Sequence, residues 1–147
     1  LNEIKSSGRI FFTVGNMEYL KHGGRIGKVA SVAGSLLGIK PIITLKEGEI
    51  FPSGIGRSRR KTVDKTIDLL LAYLAEEKTD IADYSICIGY GYDKEEAVEF
   101  RDRLVSRLKE KGYDIDTIPI FQIGATIGVH TGPYPLGIGV VKKSIRE

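Results

Sequence analysis

The glycine- and proline-rich run IGATIGVHTGPYPLGIG, residues 123–139, contains His130, one of only two histidines in the chain. Its composition predicts a loop: glycines let a backbone approach a ligand closely, and the prolines stiffen it. A histidine titrates near neutral pH, so it can donate a hydrogen bond to an acid or accept a proton. His130 is therefore a candidate ligand-binding residue, with a structural histidine near a strand as the alternative.

Arginines in two short segments could hold an anion. The segment GRSRRK contains Arg57, Arg59, Arg60 and Lys61, and HGGRIGK places Arg25 after two glycines. A guanidinium group donates two parallel hydrogen bonds, which suits a carboxylate or a phosphate. If Ser58 begins the turn into the following helix, Arg57 and Arg59 lie in an extended or turning segment and project the same way. The alternative for the basic cluster is a solvated surface at the start of a helix. The alternative for Arg25 is a turn that only connects two helices.

The residues give no motif for a metal, a nucleotide or a nucleophile. Two histidines and one cysteine show no spacing of zinc ligands. No nucleophile elbow is present, and no Cys–His pair has local support. The turn GYGYDKEE is glycine-rich, but Asp93 and Glu96 at the start of the next helix would repel a phosphate. We therefore expect no cofactor and no metal site.

Composition narrows the class of protein. A chain of 147 residues has the size of one domain, and its net charge of +3 does not require a nucleic-acid partner. The single cysteine, Cys87, cannot form an internal disulfide, and no apolar run is long enough to span a membrane. We expect a cytoplasmic protein without stable membrane insertion. The N-terminal LNEIKSS lacks a Met and resembles the end of a helix entering a strand, which suggests the later part of a longer protein.

The hydrophobic pattern predicts one α/β domain. In the first part we expect a strand at 9–14, helices at 16–22 and 28–39, and a hairpin with arms at 42–45 and 49–51. In the second part we expect a helix at 60–77, a strand at 83–92, a helix at 94–111 capped by Asp93, and strands at 114–121 and near 137–143. The second part forms a β-α-β unit with parallel strands. The predicted architecture is a mixed sheet with helices packed on it.

Three segments in this order resemble the C-terminal domain of the DegV family. They are NMEYLKHGGRIGKVASVAGSLLGIKPIITLKEGEI, GRSRRK and IGATIGVHTGPYPLGIG, and with their spacing they cover nearly the whole chain. The family pattern is roughly L-x-Y-L-K-x-G-G-R-I, L-x-I-K-P-I, R-x-R-K and G-x-x-x-G-x-H-x-G-P. Met17 replaces a more common Leu, and PYPLGIG replaces the usual PGALGI.

The resemblance implies a two-domain protein that binds one long-chain fatty acid in a tunnel between its domains. In bacterial members a separate kinase phosphorylates the bound carboxylate for phospholipid synthesis, so the carrier is not an enzyme. A Thr and a Ser of the N-terminal domain, absent from this chain, hold the carboxylate in the family. His130 matches the histidine of the H-x-G-P motif.

The resemblance also gives roles to the arginines and to one helix. Arg25 and Arg57 match arginines near the carboxylate end and the partner surface, and Arg59 is an adjacent candidate. The helix at 29–37 would line part of the tunnel. On the residues alone, two other functions stay open. One is a phosphoryl- or acyl-transfer enzyme with His130 as acid or base, and the other is a basic module that binds nucleic acid or an acidic partner.

Overall fold

The fold is an open mixed sheet with two long helices on one face. A computed structural model describes residues 2–31 and 38–144. The strands are β1 (Arg9–Thr13), β2 (Lys40–Lys46), β3 (Glu49–Gly56), β4 (Tyr84–Tyr90), β5 (Ile120–Gln122) and β6 (Leu136–Lys142), in the order β3-β2-β1-β6-β4-β5. The helices are α1 (Asn2–Ser7), α2 (Glu18–His22), α3 (Arg59–Glu77), α4 (Lys94–Glu110) and α5 (Ala125–Thr131). The predicted mixed sheet is confirmed, because β4 and β5 are parallel and the other neighbouring pairs are antiparallel.

Helices α3 and α4 pack on one face of the sheet and form the main core with it. Their buried stripes include Val63, Ile67, Leu70 and Leu74 on α3 and Ala97, Phe100, Leu104 and Leu108 on α4. Each large apolar side chain buried in this way contributes roughly 1.5–3 kcal/mol. Both helices begin where the sequence predicts, because Ser58 accepts a hydrogen bond from the amide of Lys61 and Asp93 accepts one from the amide of Glu96.

The second face of the sheet is only partly covered, and we call it the open face. Beside α2 and a 3-10 turn at Gly27–Ser31, a small cluster of buried side chains lies on it: Val14, Leu20, Val29 and Ile43. Elsewhere the open face leaves Ile10 42% and Phe121 59% exposed. The fold therefore presents an apolar sheet surface on one side of the main core.

Three predictions of local structure need correction or lie partly outside the described residues. The strand predicted at 114–121 pairs only over Ile120–Gln122, because Pro119 has no N–H to donate to the ladder. The run 123–139 is not a loop throughout, since it contains α5, which ends at Gly132 with a φ of 74°. The helix predicted at 28–39 begins as the 3-10 turn, and residues 32–37, including most of the predicted tunnel wall, lie outside the described residues.

Candidate functional site

The topology brings all four predicted site residues to one edge of the sheet, called here the site edge. Strands β1, β3, β4 and β5 all end at this edge, and β6 begins there. Arg25 follows the helix after β1, Arg57 and Arg59 follow β3, and His130 lies in the helix after β5. With a strand spacing of about 4.8 Å, the ends of β1 and β3 lie roughly 10 Å apart. Residues distant in sequence can therefore face one ligand.

His130 lies on α5 and is half-buried against α2. Two backbone hydrogen bonds form the turns of α5: the N–H of Gly128 donates to the carbonyl of Gly124 at 3.0 Å, and the N–H of Gly132 donates to the carbonyl of Gly128 at 2.8 Å. The Nδ1 atom of His130 is buried and has no hydrogen-bond partner among the described residues, and the ring packs on Gly23. The histidine lies on a helix rather than beside a strand, and its ring is held between two short helices.

Arg25 is brought close to His130 through the contact with Gly23. The backbone N–H of Arg25 donates to the carbonyl of Leu20 at 2.8 Å, which fixes the turn after α2. Its side chain is exposed and makes no ion pair with the described residues. Only one residue separates Arg25 from Gly23, so its backbone lies close to the histidine, and its exposed side chain is available to an anion.

Arg57 and Arg59 differ sharply, although both lie at the site edge. Arg59 is the first residue of α3, and its Nε and Nη2 atoms donate to the two carboxylate oxygens of Glu96 at 2.8 and 2.9 Å. Arg57 precedes the cap residue Ser58, is exposed, and forms no ion pair with the described residues. The structure therefore leaves Arg57 available to a partner and commits most of the Arg59 guanidinium to Glu96.

A cleft of about 520 Å³ opens beside His130 at the site edge. It lies between α2, α5 and the ends of β4 and β5, and its lining includes Tyr19, Gly91, Tyr92, Ile123 and Val129. Tyr92 and Val129 are 75% and 62% exposed, which is unusual for large apolar side chains. The cleft leaves no local pattern in the sequence, because its walls come from three separate segments of the chain.

A second cavity, of about 600 Å³, lies on the open face, and we call it the apolar groove. Its lining includes Ile10, Leu45, Cys87, Phe121 and Val141. Glycines of β4 and β6 lie between this groove and the cleft, because Gly89 pairs with Gly137 and Cys87 pairs with Gly139. These glycines carry no side chains, and the side chains of Ile123 and Phe12 pack against Gly89 and Gly137, between the two cavities. From Ser85 to Gly91 the face runs for about 20 Å at the usual rise per residue.

Cys87 is the one cysteine of the chain and lines the apolar groove. Burial raises the pKa of its thiol above the ordinary value, and a backbone hydrogen bond at Gly139 acts in the opposite direction. A raised pKa keeps the group mainly as the protonated thiol at neutral pH, which slows its alkylation without preventing it. Cys87 therefore contributes an apolar wall and a unique chemical label.

Within the described parts of the chain, two further classes of site are not found. No three side chains of His, Cys, Asp or Glu come together there as metal ligands. No helix in residues 2–31 and 38–144 is long and apolar enough to cross a membrane.

Comparison with known sequences gives one consistent family. A model of the family described as "Uncharacterised protein, DegV family" matches residues 1–143. A DegV domain-containing protein of Clostridium perfringens is 35% identical over 147 residues, which cover 97% of this chain and 48% of that protein. A second protein of the same organism is 36% identical over 143 residues, which cover 47% of it. The chain thus spans about half the length of the curated relatives it matches.

Solved structures show the same fold. A stearic acid-binding protein from Eubacterium ventriosum is 44% identical with a TM-score of 0.86, covering 97% of this chain and 47% of that one. A DegV family protein from Thermus thermophilus, described by its fatty acid binding, is 28% identical with a TM-score of 0.77, covering 93% and 46%. DegV from Bacillus subtilis, a fatty acid binding protein, is 27% identical with a TM-score of 0.69, covering 97% and 47%.

Proposed function

Since this chain belongs to the DegV family, we propose that it forms one domain of a carrier that holds a long-chain fatty acid between two domains. The observation that carries this proposal is the likeness, over 97% of the chain, to a protein that binds stearic acid. The other half of the carrier would be the N-terminal domain of the family. It would close the open face and supply the hydroxyl ligands of the carboxylate.

We assign the carboxylate to the site edge. The ring of His130 lies against Gly23, two residues before Arg25, and its neighbour Val129 lines the cleft. A carboxylate removed from water needs hydrogen-bond donors or cations, and both His130 and Arg25 could supply them at this edge. We assign Arg59 a supporting role only, because Glu96 occupies it.

We assign the acyl tail to the apolar groove on the open face. Each buried CH₂ group contributes roughly 0.8 kcal/mol, so a long tail is held mainly by apolar area. The length of this face, about 20 Å, suits a long acyl chain lying along β4 and β6. Val29, which the sequence analysis expects in the tunnel wall, is instead fully buried in the small cluster and does not line this groove.

We further propose that the carrier presents the bound carboxylate to a separate fatty acid kinase, which forms the acyl phosphate for phospholipid synthesis. The carrier would then perform no chemistry itself. Arg57 is our candidate for the contact with the kinase, because it is exposed and unpaired among the described residues at the same edge as the carboxylate. A long, charged side chain suits a transient contact that must form and break in each cycle.

The test is native mass spectrometry of the protein expressed in bacteria from its complete reading frame. We expect one fatty acid per molecule, with occupancy lowered by His130→Ala and Arg25→Ala and unchanged by the matched control Arg60→Ala. A protein that neither co-purifies with a fatty acid nor takes up added stearate would contradict the proposal. Turnover of ATP that disappears in His130→Ala would instead support an enzyme.

The position of the tail has an independent test. Bound stearate should slow the alkylation of Cys87 by iodoacetamide, followed by peptide mass spectrometry, because the thiol lines the apolar groove. A soluble short acid such as acetate is the control, since it reaches the carboxylate site without a tail. Equal alkylation rates with and without bound stearate would exclude this groove as the tail site.

A further inference from the structure

Helices α2 and α5 are joined by two rings, each of which packs on a glycine of the opposite segment. The imidazole of His130 lies against Gly23 at the end of α2, and the ring of Tyr19 lies against Gly132 at the end of α5. A Cβ atom at Gly132 would lie 2.5 Å from Cδ2 of Tyr19, and one at Gly23 would overlap Nδ1 of His130. Neither position can accept a side chain unless the facing ring moves.

The two glycines are required for different reasons. Gly132 has a φ of 74°, so its backbone conformation also favours glycine. Gly23 has a φ of −77° and a ψ of 2°, which any residue adopts easily. The imidazole of His130 and the carbonyl of Tyr19, 3.1 Å from the added Cβ, are therefore what restrict Gly23.

The packing also distinguishes the two nitrogens of His130. Nδ1 is buried and unpaired among the described residues, whereas Nε2 is not among the buried atoms that lack a partner. A proton on Nδ1 would create a buried N–H without an acceptor, which costs about 1–3 kcal/mol. The neutral ring should therefore carry its proton on Nε2, the atom that remains accessible.

We propose that Gly23 and Gly132 are positioning residues that seat His130 with Nδ1 against the protein and Nε2–H directed outward as a hydrogen-bond donor. The identity of the acceptor, a fatty-acid carboxylate, rests on the proposed function. The seating of the ring does not, because it is a property of this chain alone. Gly23→Ala isolates the contact, since it changes the space beside the ring without straining the backbone.

The first test is a double-mutant cycle in the 147-residue chain. Gly23→Ala should lower the unfolding midpoint in urea when His130 is present and should do so much less in the His130→Ala background, where the obstructing ring is gone. Gly27→Ala is the matched control, because no described atom lies within 4 Å of a Cβ at that position. Equal losses in both backgrounds would overturn the proposal, and a Gly23→Ala protein that folds only together with His130→Ala would support it.

The second test reads the tautomer by nitrogen NMR of the labelled imidazoles, with His130→Gln used to assign the signals. We expect the Nε2–H form in the wild type and in Gly27→Ala, and a shift toward a solvent-like mixture in Gly23→Ala. A wild-type ring protonated on Nδ1, or an unchanged ring in folded Gly23→Ala, would overturn the seating. This readout separates positioning from a general loss of stability.

Stearate affinity of the protein from the complete reading frame links the seating to function. Gly23→Ala should weaken binding roughly tenfold or more, the usual effect of losing a hydrogen bond to a charged group. Adding His130→Ala should cause little further loss. If the wild type binds no fatty acid, the proposed function fails. The NMR measurement and the double-mutant cycle would still show whether Gly23 positions the ring of His130. If the wild type binds and Gly23→Ala binds equally well, the positioning role fails.

Discussion

The ion pair between Arg59 and Glu96 ties the first turn of α3 to the first turn of α4, and we predict that Arg59→Ala destabilises the protein. The guanidinium meets both carboxylate oxygens at 2.8 and 2.9 Å, and the two side chains are only 24% and 26% exposed. Removing the arginine leaves a partly buried carboxylate that has lost both of these hydrogen bonds. The prediction concerns stability, and through it the interpretation of binding data for this residue.

The expected loss follows from the geometry of the pair. Exposed pairs contribute about 0.2–1 kcal/mol, and single hydrogen bonds to charged groups contribute about 1.5–3 kcal/mol. The Arg59–Glu96 pair has two such bonds, but its partial exposure weakens them, and the buried Nη1 atom of Arg59 lacks a partner among the described residues. We therefore expect about 2 kcal/mol, or roughly 6 °C in the melting temperature for a domain of this size.

The assay is urea unfolding followed by circular dichroism for Arg59→Ala, Glu96→Ala and the double variant. The double variant should lose clearly less than the sum of the single variants, because the two side chains interact directly. Arg57→Ala is the matched control and should change the free energy of unfolding by less than about 0.5 kcal/mol, since it is exposed and unpaired in the described structure. Additive losses, or equal effects of the two arginine variants, would refute the reasoning.

Three further predictions concern the scaffold. Gly137→Ala should cost about 2 kcal/mol in thermal melts, because its Cβ would lie 2.6 Å from a backbone oxygen of β1. Gly128→Ala is the control, since a Cβ there meets no atom of the described residues within 4 Å. The Lys142 ammonium, hydrogen-bonded to Glu77, lowers the pKa of that carboxyl. The stabilisation from this ion pair is therefore present above the ordinary pKa of 4.5 and is lost as the pH falls through the lowered pKa of Glu77. In Lys142→Met this part of the fall in the urea unfolding midpoint at acidic pH should be absent. Burial raises the pKa of Tyr73 to about 12, so its contribution to the free energy of unfolding is complete below pH 10 and falls as the pH rises toward 12. In Tyr73→Phe the stability should fall less over this alkaline range.

The elements predicted well from the sequence are those specified by local interactions. The apolar stripe of α3 and the capping residue Asp93 of α4 lie within a few positions of the structure they determine, and both elements are confirmed. The strand at 114–121 was predicted too long because its extent depends on which backbone groups meet β4. Pro119 removes a donor from that pairing, yet its carbonyl still accepts a hydrogen bond from Ile88 at 2.9 Å.

For the candidate site, the sequence indicates residue types but not their geometry. The sequence indicates Arg57 and Arg59 together, but only the fold shows that Glu96, 37 positions away, binds one and not the other. At the start of α4, where Asp93 is predicted to cap the helix, the backbone amide of Glu96 does donate to Asp93, while the carboxylate of Glu96 turns to Arg59. Nonlocal pairing of this kind leaves no periodic trace in the sequence.

Glycine in the motif segments has a second use that composition hides. A glycine-rich run suggests loops, because glycine tolerates backbone angles that other residues avoid. That reason holds for Gly132, but Gly23 has an ordinary φ, and its missing side chain creates space for the ring of His130. The H-x-G-P and G-G-R motifs, about a hundred residues apart in the chain, thus meet as two halves of one contact. Since each motif is incomplete without the other, their joint presence indicates a positioned histidine more strongly than either segment does alone.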